Sequence, residues 1–363
     1  MHLPDFAMTM ESLGTLARAA LWGGCLFAGI SSAPGADDPG VLVWEKLPAI
    51  PDAEGFAGAF AGVSNGALIV AGGANIPGEK WGDTFRKQWY DSVFVLEKPD
   101  GEWRSGFKMP RTLGYGVSVT AERGVVCIGG SDSQRHHADV FLLEWRDGRI
   151  VTTALPALPK PCANMCGALV GKVIYVAGGI ETPDATTSLK TFWSLDLAAA
   201  APRWESLDPW PGPERMLAVA GVIGDSFCIF SGAKLKAADG KAVREFLRDA
   251  YRFTPGKGWV RLADMPRAAV AAPSPALTVG AKLRIATGDD GARVDFAPVR
   301  EHPGFPRDVL EYDSARDAWS VAGEVPFSRA TVTAVEWRGR YVIPNGEVRP
   351  RVRTPEVSAL RMK

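Results

Sequence analysis

An apolar run that ends in a glycine pair, or in a close variant of one, recurs six times along the chain, at residues 68–73, 125–130, 173–179, 227–232, 283–288 and 341–346. After most copies a second apolar run follows, as at residues 92–96, 140–143 and 309–312. A tryptophan then opens a further run, at Trp103, Trp204, Trp259 and Trp319. Proline-bearing segments close several units: Met109-Pro110, Leu158-Pro159, Met265-Pro266 and Val325-Pro326. Each unit therefore holds about four short strands in roughly 50 residues. One such unit cannot bury both faces of its sheet, so the units must stack on one another around an axis. A β-sandwich with coincidental glycines does not explain six matched units, most with a tryptophan at a similar offset.

The expected fold is all-β, a six-bladed kelch-type β-propeller. One strand is out of place. Residues 41–48 (Val-Leu-Val-Trp-Glu-Lys-Leu-Pro) have the form of a Trp-led closing strand, yet no unit precedes them. The sixth unit, conversely, stops after residues 357–360 without a Trp strand of its own. The N-terminal strand is expected to complete the last blade and close the ring, giving one domain over about residues 40–363.

Composition excludes some classes of function. Lys and Arg total 41, Asp and Glu total 41, and the net charge is zero, so nothing in the chain favours nucleic acid. Arg18, an apolar run over residues 19–30 and small residues over 31–36 form the pattern of a secretory signal, so residues 1–36 are read as a signal peptide. The run is short for a membrane span of about 20 residues. The protein is expected to be exported, to the periplasm or beyond, with no stable membrane span. Cys127 and Cys228 lie in apolar runs and read as buried hydrophobes. Cys162 and Cys166 are available for a disulfide in an oxidising compartment. The four histidines, His2, His136, His137 and His302, are not spaced from the cysteines as zinc ligands, and no metal or cofactor is expected. Nothing in the chain specifies an oligomeric state.

Strands of a blade run antiparallel outward from the axis, so connections alternate between two faces. Tight glycine-bearing turns at residues 64–66, 170–172, 223–225 and 338–340 take one face. The loops after the glycine pairs, about 74–90, 180–190, 233–249 and 289–308, take the other, and long loops on a rigid scaffold are where sites are built. Asn75, Trp81 and Lys87 fall on that face. Arg111, Arg215, Arg267 and Arg329 follow the blade-closing segments. They read either as a ring of guanidinium groups at the axial mouth or as structural ties between neighbouring loops. Glu347 and Arg353 follow the last glycine copy. They read either as architecture or as a proton-transfer group beside an anion-binding guanidinium.

Residues 345–354 (Asn-Gly-Glu-Val-Arg-Pro-Arg-Val-Arg-Thr) resemble the Asn-Gly-Glu-x-(Lys/Arg)-Pro-x-x-Arg-Thr motif of the N-acetylneuraminate epimerase family, the sialic acid mutarotases. Residues 55–64, 72–77 and 115–118 are similar to further segments of that family. The blades come in a different order, as in the subgroup called cyclically permuted mutarotases. Pro344 replaces an apolar residue before the motif, and the long loops match poorly.

The resemblance implies an isomerase that interconverts anomers of N-acetylneuraminate or a related sugar, with Glu347 and Arg353 as the active pair. Asn75, Arg111, Arg215, Arg329 and Asn345 are the expected substrate-binding residues. Mutarotation needs a proton removed from the anomeric hydroxyl and one supplied to the ring oxygen. Glu347 is expected to act as general base and acid, and Arg353 to hold the sugar carboxylate or a developing oxyanion. The alternative is a non-catalytic kelch propeller that binds glycan or protein. A copper radical oxidase needs histidine and tyrosine ligands with a Tyr-Cys link, and only His136, His137 and His302 are available. A sialidase needs an arginine triad and Ser-x-Asp-x-Gly-x-Thr-Trp boxes, a pattern that residues 313–319 fail.

Overall fold

The computed structural model describes residues 43–361, apart from 83, 239 and 240. Six four-stranded antiparallel sheets succeed one another around an axis. Their innermost strands are Phe60–Ser64, Val117–Thr120, Cys166–Val170, Val219–Ile223, Leu277–Val279 and Val335–Trp337. Among the described residues the only helical element is a short 3-10 turn, Val299–Glu301. The expected six-bladed kelch-type propeller is therefore what the chain forms, within the unit Gly40–Lys363.

The sixth sheet runs Val335–Trp337, Arg340–Pro344, Val357–Arg361 and then Trp44–Leu47, which pairs antiparallel with its neighbour, Trp44 opposite Leu360 and Leu47 opposite Val357. The strand from the beginning of the chain thus supplies the outer edge of the last blade. Apolar side chains pack chiefly between blades: Phe60 and Ile69 of the first share a cluster with Cys127 and Phe141 of the second.

The glycine signal has a conformational cause. The second glycine of each copy (Gly73, Gly130, Gly179, Gly232, Gly288 and Gly346) has φ between +82° and +110°. That lies beyond the narrow left-handed region open to residues with a Cβ. The tryptophans have one as well. Trp103, Trp204, Trp259 and Trp319 donate their indole N–H to the carbonyls of Pro48, Pro156, Asp208 and Ala263, at 2.8–2.9 Å, each in the segment that closes the preceding blade. A large apolar ring with one donor suits an inter-blade seam whose backbone acceptors would otherwise be unpaired.

Three expectations are modified or fall elsewhere. Residues 233–246 form a two-stranded hairpin, Ala233–Ala238 with Lys241–Phe246, where a loop was expected. Cys162 and Cys166 are free thiols in separate apolar clusters, and burial pushes both up to about 12. The signal-like residues 1–36 lie outside the described residues; among those described, no helix is long and apolar enough to cross a membrane.

Candidate active site

Six peptide groups, one from each blade, form a closed ring around the axis. Tyr115 N–H donates to Gly58, Asn164 to Tyr115, Leu217 to Asn164, Ala271 to Leu217, Thr331 to Ala271 and Gly58 to Thr331, all at 2.6–2.8 Å. All six residues have φ between +54° and +65°. Five of them carry side chains in this sparsely populated region, which persists only where the surroundings fix it; here the cyclic hydrogen bonding does so. The ring is the floor of the site. Five of its members line a cavity of about 360 Å³ on the long-loop face, while the space around and behind the ring narrows to about 70 Å³. The larger volume suits a small ligand.

Just outside the ring each blade presents the residue after its second glycine: Ala74, Ser131, Ile180, Ala233, Asp289 and Glu347, each in a two-way backbone bridge to the residue preceding a ring member. The propeller thus offers six equivalent positions at the mouth, and adjacent fifth and sixth blades fill theirs with carboxylates.

Glu347 and Arg353 belong to a two-stranded hairpin, Glu347–Arg349 with Val352–Arg353, in which they are directly paired across the ladder. Opposed residues of an antiparallel pair project on one face, so the six-residue spacing brings both into the cavity. Arg351, at the turn with φ +70°, donates its backbone N–H to Glu347 Oε1 at 2.8 Å. Arg353 Nη1 lies 3.3 Å from the same oxygen, within charge attraction, yet its Nε and Nη1 make no hydrogen bond among the described residues. A guanidinium that lines the cavity beside a carboxylate is suited to an anionic or carbonyl ligand. The other two arginines of the motif face outward: Arg349 lies over Trp81 and Arg351 over Phe85 (5.6 and 4.1 Å to the ring centroids), fastening the hairpin to the first blade's long loop. From behind, Gly55 presses against Thr354, where an added Cβ would sit 2.0 Å from the Thr354 carbonyl oxygen.

The adjoining wall comes from the first and second blades. The Lys87 ammonium lies 3.8 Å from the Tyr115 ring centroid and 4.5 Å from that of Trp89, a cation–aromatic stack. His136 donates from Nδ1 to the Ile180 carbonyl at 3.0 Å, which leaves Nε2 as an acceptor; burial holds its pKa below the usual imidazole value. Burial opposes ionisation of Asp132, but N–H donors from Gln134 and Arg135 and the His137 ring prevail and bring its carboxyl down to about 2. In the fifth blade, Asp289 behaves the other way. Burial raises its pKa, opposed by the Gly291 N–H, raised further by Asp290 and lowered in smaller measure by Arg244 and His302.

The arginines expected around the mouth do not ring it. Each reaches sideways to an acid at the start of the next blade's third strand: Arg111 to Asp139, Arg215 to Asp249, Arg267 to Asp308 and Arg329 to Glu356. Arg215 is wholly buried, and its guanidinium donates to the Ser231 carbonyl and to Asp249, both at 2.8 Å. Arg329, also buried, donates to the Ser328 carbonyl at 2.9 Å and pairs with Glu356 at 3.3 Å. Arg111 donates to His137 Nδ1 (2.9 Å), and His137 Nε2 in turn to Asp132 (2.7 Å), so it touches the cavity only through a relay. Asn75 is buried between the Gly55 carbonyl and the Tyr90 hydroxyl. Asn345, fully buried at φ +60°, turns the chain into Gly346. Of the seven residues assigned a catalytic or substrate-binding role from sequence, Glu347 and Arg353 line the cavity and the other five surround or support it.

This arrangement makes a specific demand of Arg215. An inter-blade clamp lost from one side leaves the largely buried Asp249 with, among the described residues, one remaining donor, Tyr251. Arg215→Met is expected to lose about 3–5 kcal/mol of stability by chemical denaturation, while the folded fraction keeps its affinity for substrate. A loss of affinity with unchanged stability would place Arg215 at the ligand instead.

Sequence reasoning passed over Asp289, His136 and Asp132, and named Lys87 without its aromatic partners. For Asp289 a signal was available: it follows Thr287-Gly288 as Glu347 follows Asn345-Gly346.

Fold and site together define a six-bladed kelch-type propeller with a carboxylate-and-guanidinium cavity at one axial mouth. Residues 36–152 match the family model of N-acetylneuraminate epimerase. The chain is similar to the N-acetylneuraminate epimerases of Yersinia pestis (strain Pestoides F), 37% identical over 127 residues (30% of this chain and 32% of that protein), and of Haemophilus influenzae (strain PittEE), 28% identical over 225 residues (55% and 57%). The match thus spans about a third of the Yersinia relative's length and just over half of the Haemophilus one. The solved structure of YjhT aligns with a TM-score of 0.64 at 16% identity, covering 87% of this chain and 97% of that one, a likeness of fold.

Proposed function

We propose that this propeller is a sugar mutarotase that interconverts anomers of N-acetylneuraminate or a closely related acidic sugar by acid–base ring opening and closure. The observation that carries the reading is the cross-ladder pair Glu347–Arg353, a carboxylate and an under-bonded guanidinium facing one cavity of about 360 Å³. The relatives named N-acetylneuraminate epimerase support the substrate class.

Glu347 takes the proton of the anomeric hydroxyl, the carbonyl forms, and the ring carbon–oxygen bond breaks with its electron pair going to the ring oxygen, which takes up a proton. Rotation about the adjacent carbon–carbon bond and reclosure on the other face give the second anomer. Arg353 holds the sugar carboxylate from the cavity wall, and the Lys87–Trp89–Tyr115 stack offers an aromatic wall to the ring's apolar face. The basic, apolar and small-residue pattern of residues 18–36 supports export as the setting in which the enzyme works.

Exchange NMR on a panel of free sugars tests the substrate class. Charge-assisted hydrogen bonds are worth about 1.5–3 kcal/mol, so Arg353→Met is expected to raise KM for N-acetylneuraminate by at least about tenfold. An unchanged KM would remove Arg353 from the role of anion holder.

A further inference from the structure

Ring opening needs a second proton relay, and one carboxylate cannot stand on both sides of the scissile bond at once. We infer that Asp289 is the proton donor to the ring oxygen, working as the partner of Glu347 on the neighbouring blade of the axial cavity; this rests on the mutarotase reading above. Three observations lead to it. First, the two acids occupy equivalent positions of adjacent blades. Asp289 bridges Val270 and Glu347 bridges Ala330, while the next residues of the chain, Ala271 and Thr331, are joined in the floor ring by a 2.6 Å hydrogen bond. The backbone path between them is therefore short and rigid. Secondly, both line the same cavity.

Thirdly, their surroundings differ. Glu347 accepts the Arg351 N–H at 2.8 Å and lies 3.3 Å from the Arg353 guanidinium. The one hydrogen bond to the Asp289 side chain among the described residues is the Gly291 N–H, at 3.0 Å. The charged groups acting on Asp289 are Asp290 beside it, Arg244 from the hairpin of the fourth blade and His302 from its own loop, with Glu347 at the equivalent position of the next blade. Burial outweighs the Arg244 and His302 charges and favours the neutral acid. A carboxyl whose burial favours its protonated form is suited to supply a proton.

The protons balance in both directions. On opening, the anomeric O–H proton passes to Glu347, the ring bond's electron pair goes to the ring oxygen, and the Asp289 proton joins that oxygen. On closing, the Asp289 carboxylate takes the proton back as the hydroxyl attacks the carbonyl, and protonated Glu347 returns its own to the carbonyl oxygen. The enzyme ends as it began.

The test combines carbon-13 carboxyl NMR of aspartate-labelled wild-type protein, assigned by difference from Asp289→Asn, with anomer-exchange rates of wild type, Asp289→Asn and Asp289→Glu across pH. The expected results are a titration midpoint above that of free aspartate, a fall in exchange of about 10²-fold in Asp289→Asn, and partial recovery in Asp289→Glu. The wild-type rate should decline on the alkaline side as the donor is lost, and that decline should vanish in Asp289→Asn. An ordinary or lowered midpoint, or wild-type exchange in Asp289→Asn, overturns the assignment and leaves Glu347 and the mutarotase reading intact. Wild-type protein that exchanges no sugar faster than buffer overturns both.

Discussion

Replacing Glu347 by glutamine is expected to remove accelerated anomer exchange, a fall of about 10²–10⁴-fold, without shifting the unfolding transition. Glutamine keeps the shape and a carbonyl oxygen able to accept the Arg351 N–H, the contact that fixes the carboxylate at 2.8 Å. It cannot take up the anomeric proton. The ladder pairing with Arg353 and the bridge to Ala330 are backbone features and survive the change, so a loss of activity reports chemistry and not collapse of the hairpin. Line-shape or saturation-transfer NMR at equal protein concentration reads the effect. Exchange at the wild-type rate would show that the proton moves through another group.

Removing the strand Trp44–Leu47 together with Pro48 is expected to cost the most stability of any short deletion. The strand forms four ladder pairs with Val357–Arg361. Leu47 is buried, and Trp44 packs edge-on against Phe327 with ring centroids 4.8 Å apart. Glu45 pairs with Arg340 and Arg361, and Pro48 accepts the Trp103 indole of the first blade. Burial of Leu47 and partial burial of Trp44, at most about 1.5–3 kcal/mol each, with ladder bonds of about 1 kcal/mol each, makes the loss comparable with the lower part of the 5–15 kcal/mol stability of a typical domain. Circular dichroism should record a midpoint lower by about 10 °C or more, or no cooperative transition. An unaltered midpoint would mean that the ring closes without its borrowed edge.

How much of this was legible in the sequence follows from which physical constraints leave a residue-level trace. The second glycine of every copy is demanded by a backbone angle that no other residue adopts comfortably, so the six blades could be counted. Trp103, Trp204, Trp259 and Trp319 are likewise fixed by one seam geometry. The displaced strand was readable because a Trp-led segment stood at the wrong end. The floor ring was not readable, because its members (a glycine, a tyrosine, an asparagine, a leucine, an alanine and a threonine) contribute backbone groups and share no side-chain chemistry.

The arginines show the reverse case. Their repetition was visible, but which way each guanidinium turns depends on Asp139, Asp249, Asp308 and Glu356, acids of the following blade that no local pattern attaches to them. Asp289 was hidden by its partner's richer motif: Glu347 carries three arginines after it, whereas Asp289 is followed by a second aspartate and a glycine. With the blades in register on their second glycines, the two acids fall at the same position.

The most direct test of the central claim is the time course of α-N-acetylneuraminate, freshly released from a glycoside, followed by proton NMR with and without catalytic amounts of the protein. The account predicts a faster approach to the same anomer equilibrium, at a rate proportional to protein concentration. A time course indistinguishable from buffer, for this sugar and for its close acidic relatives, would contradict it.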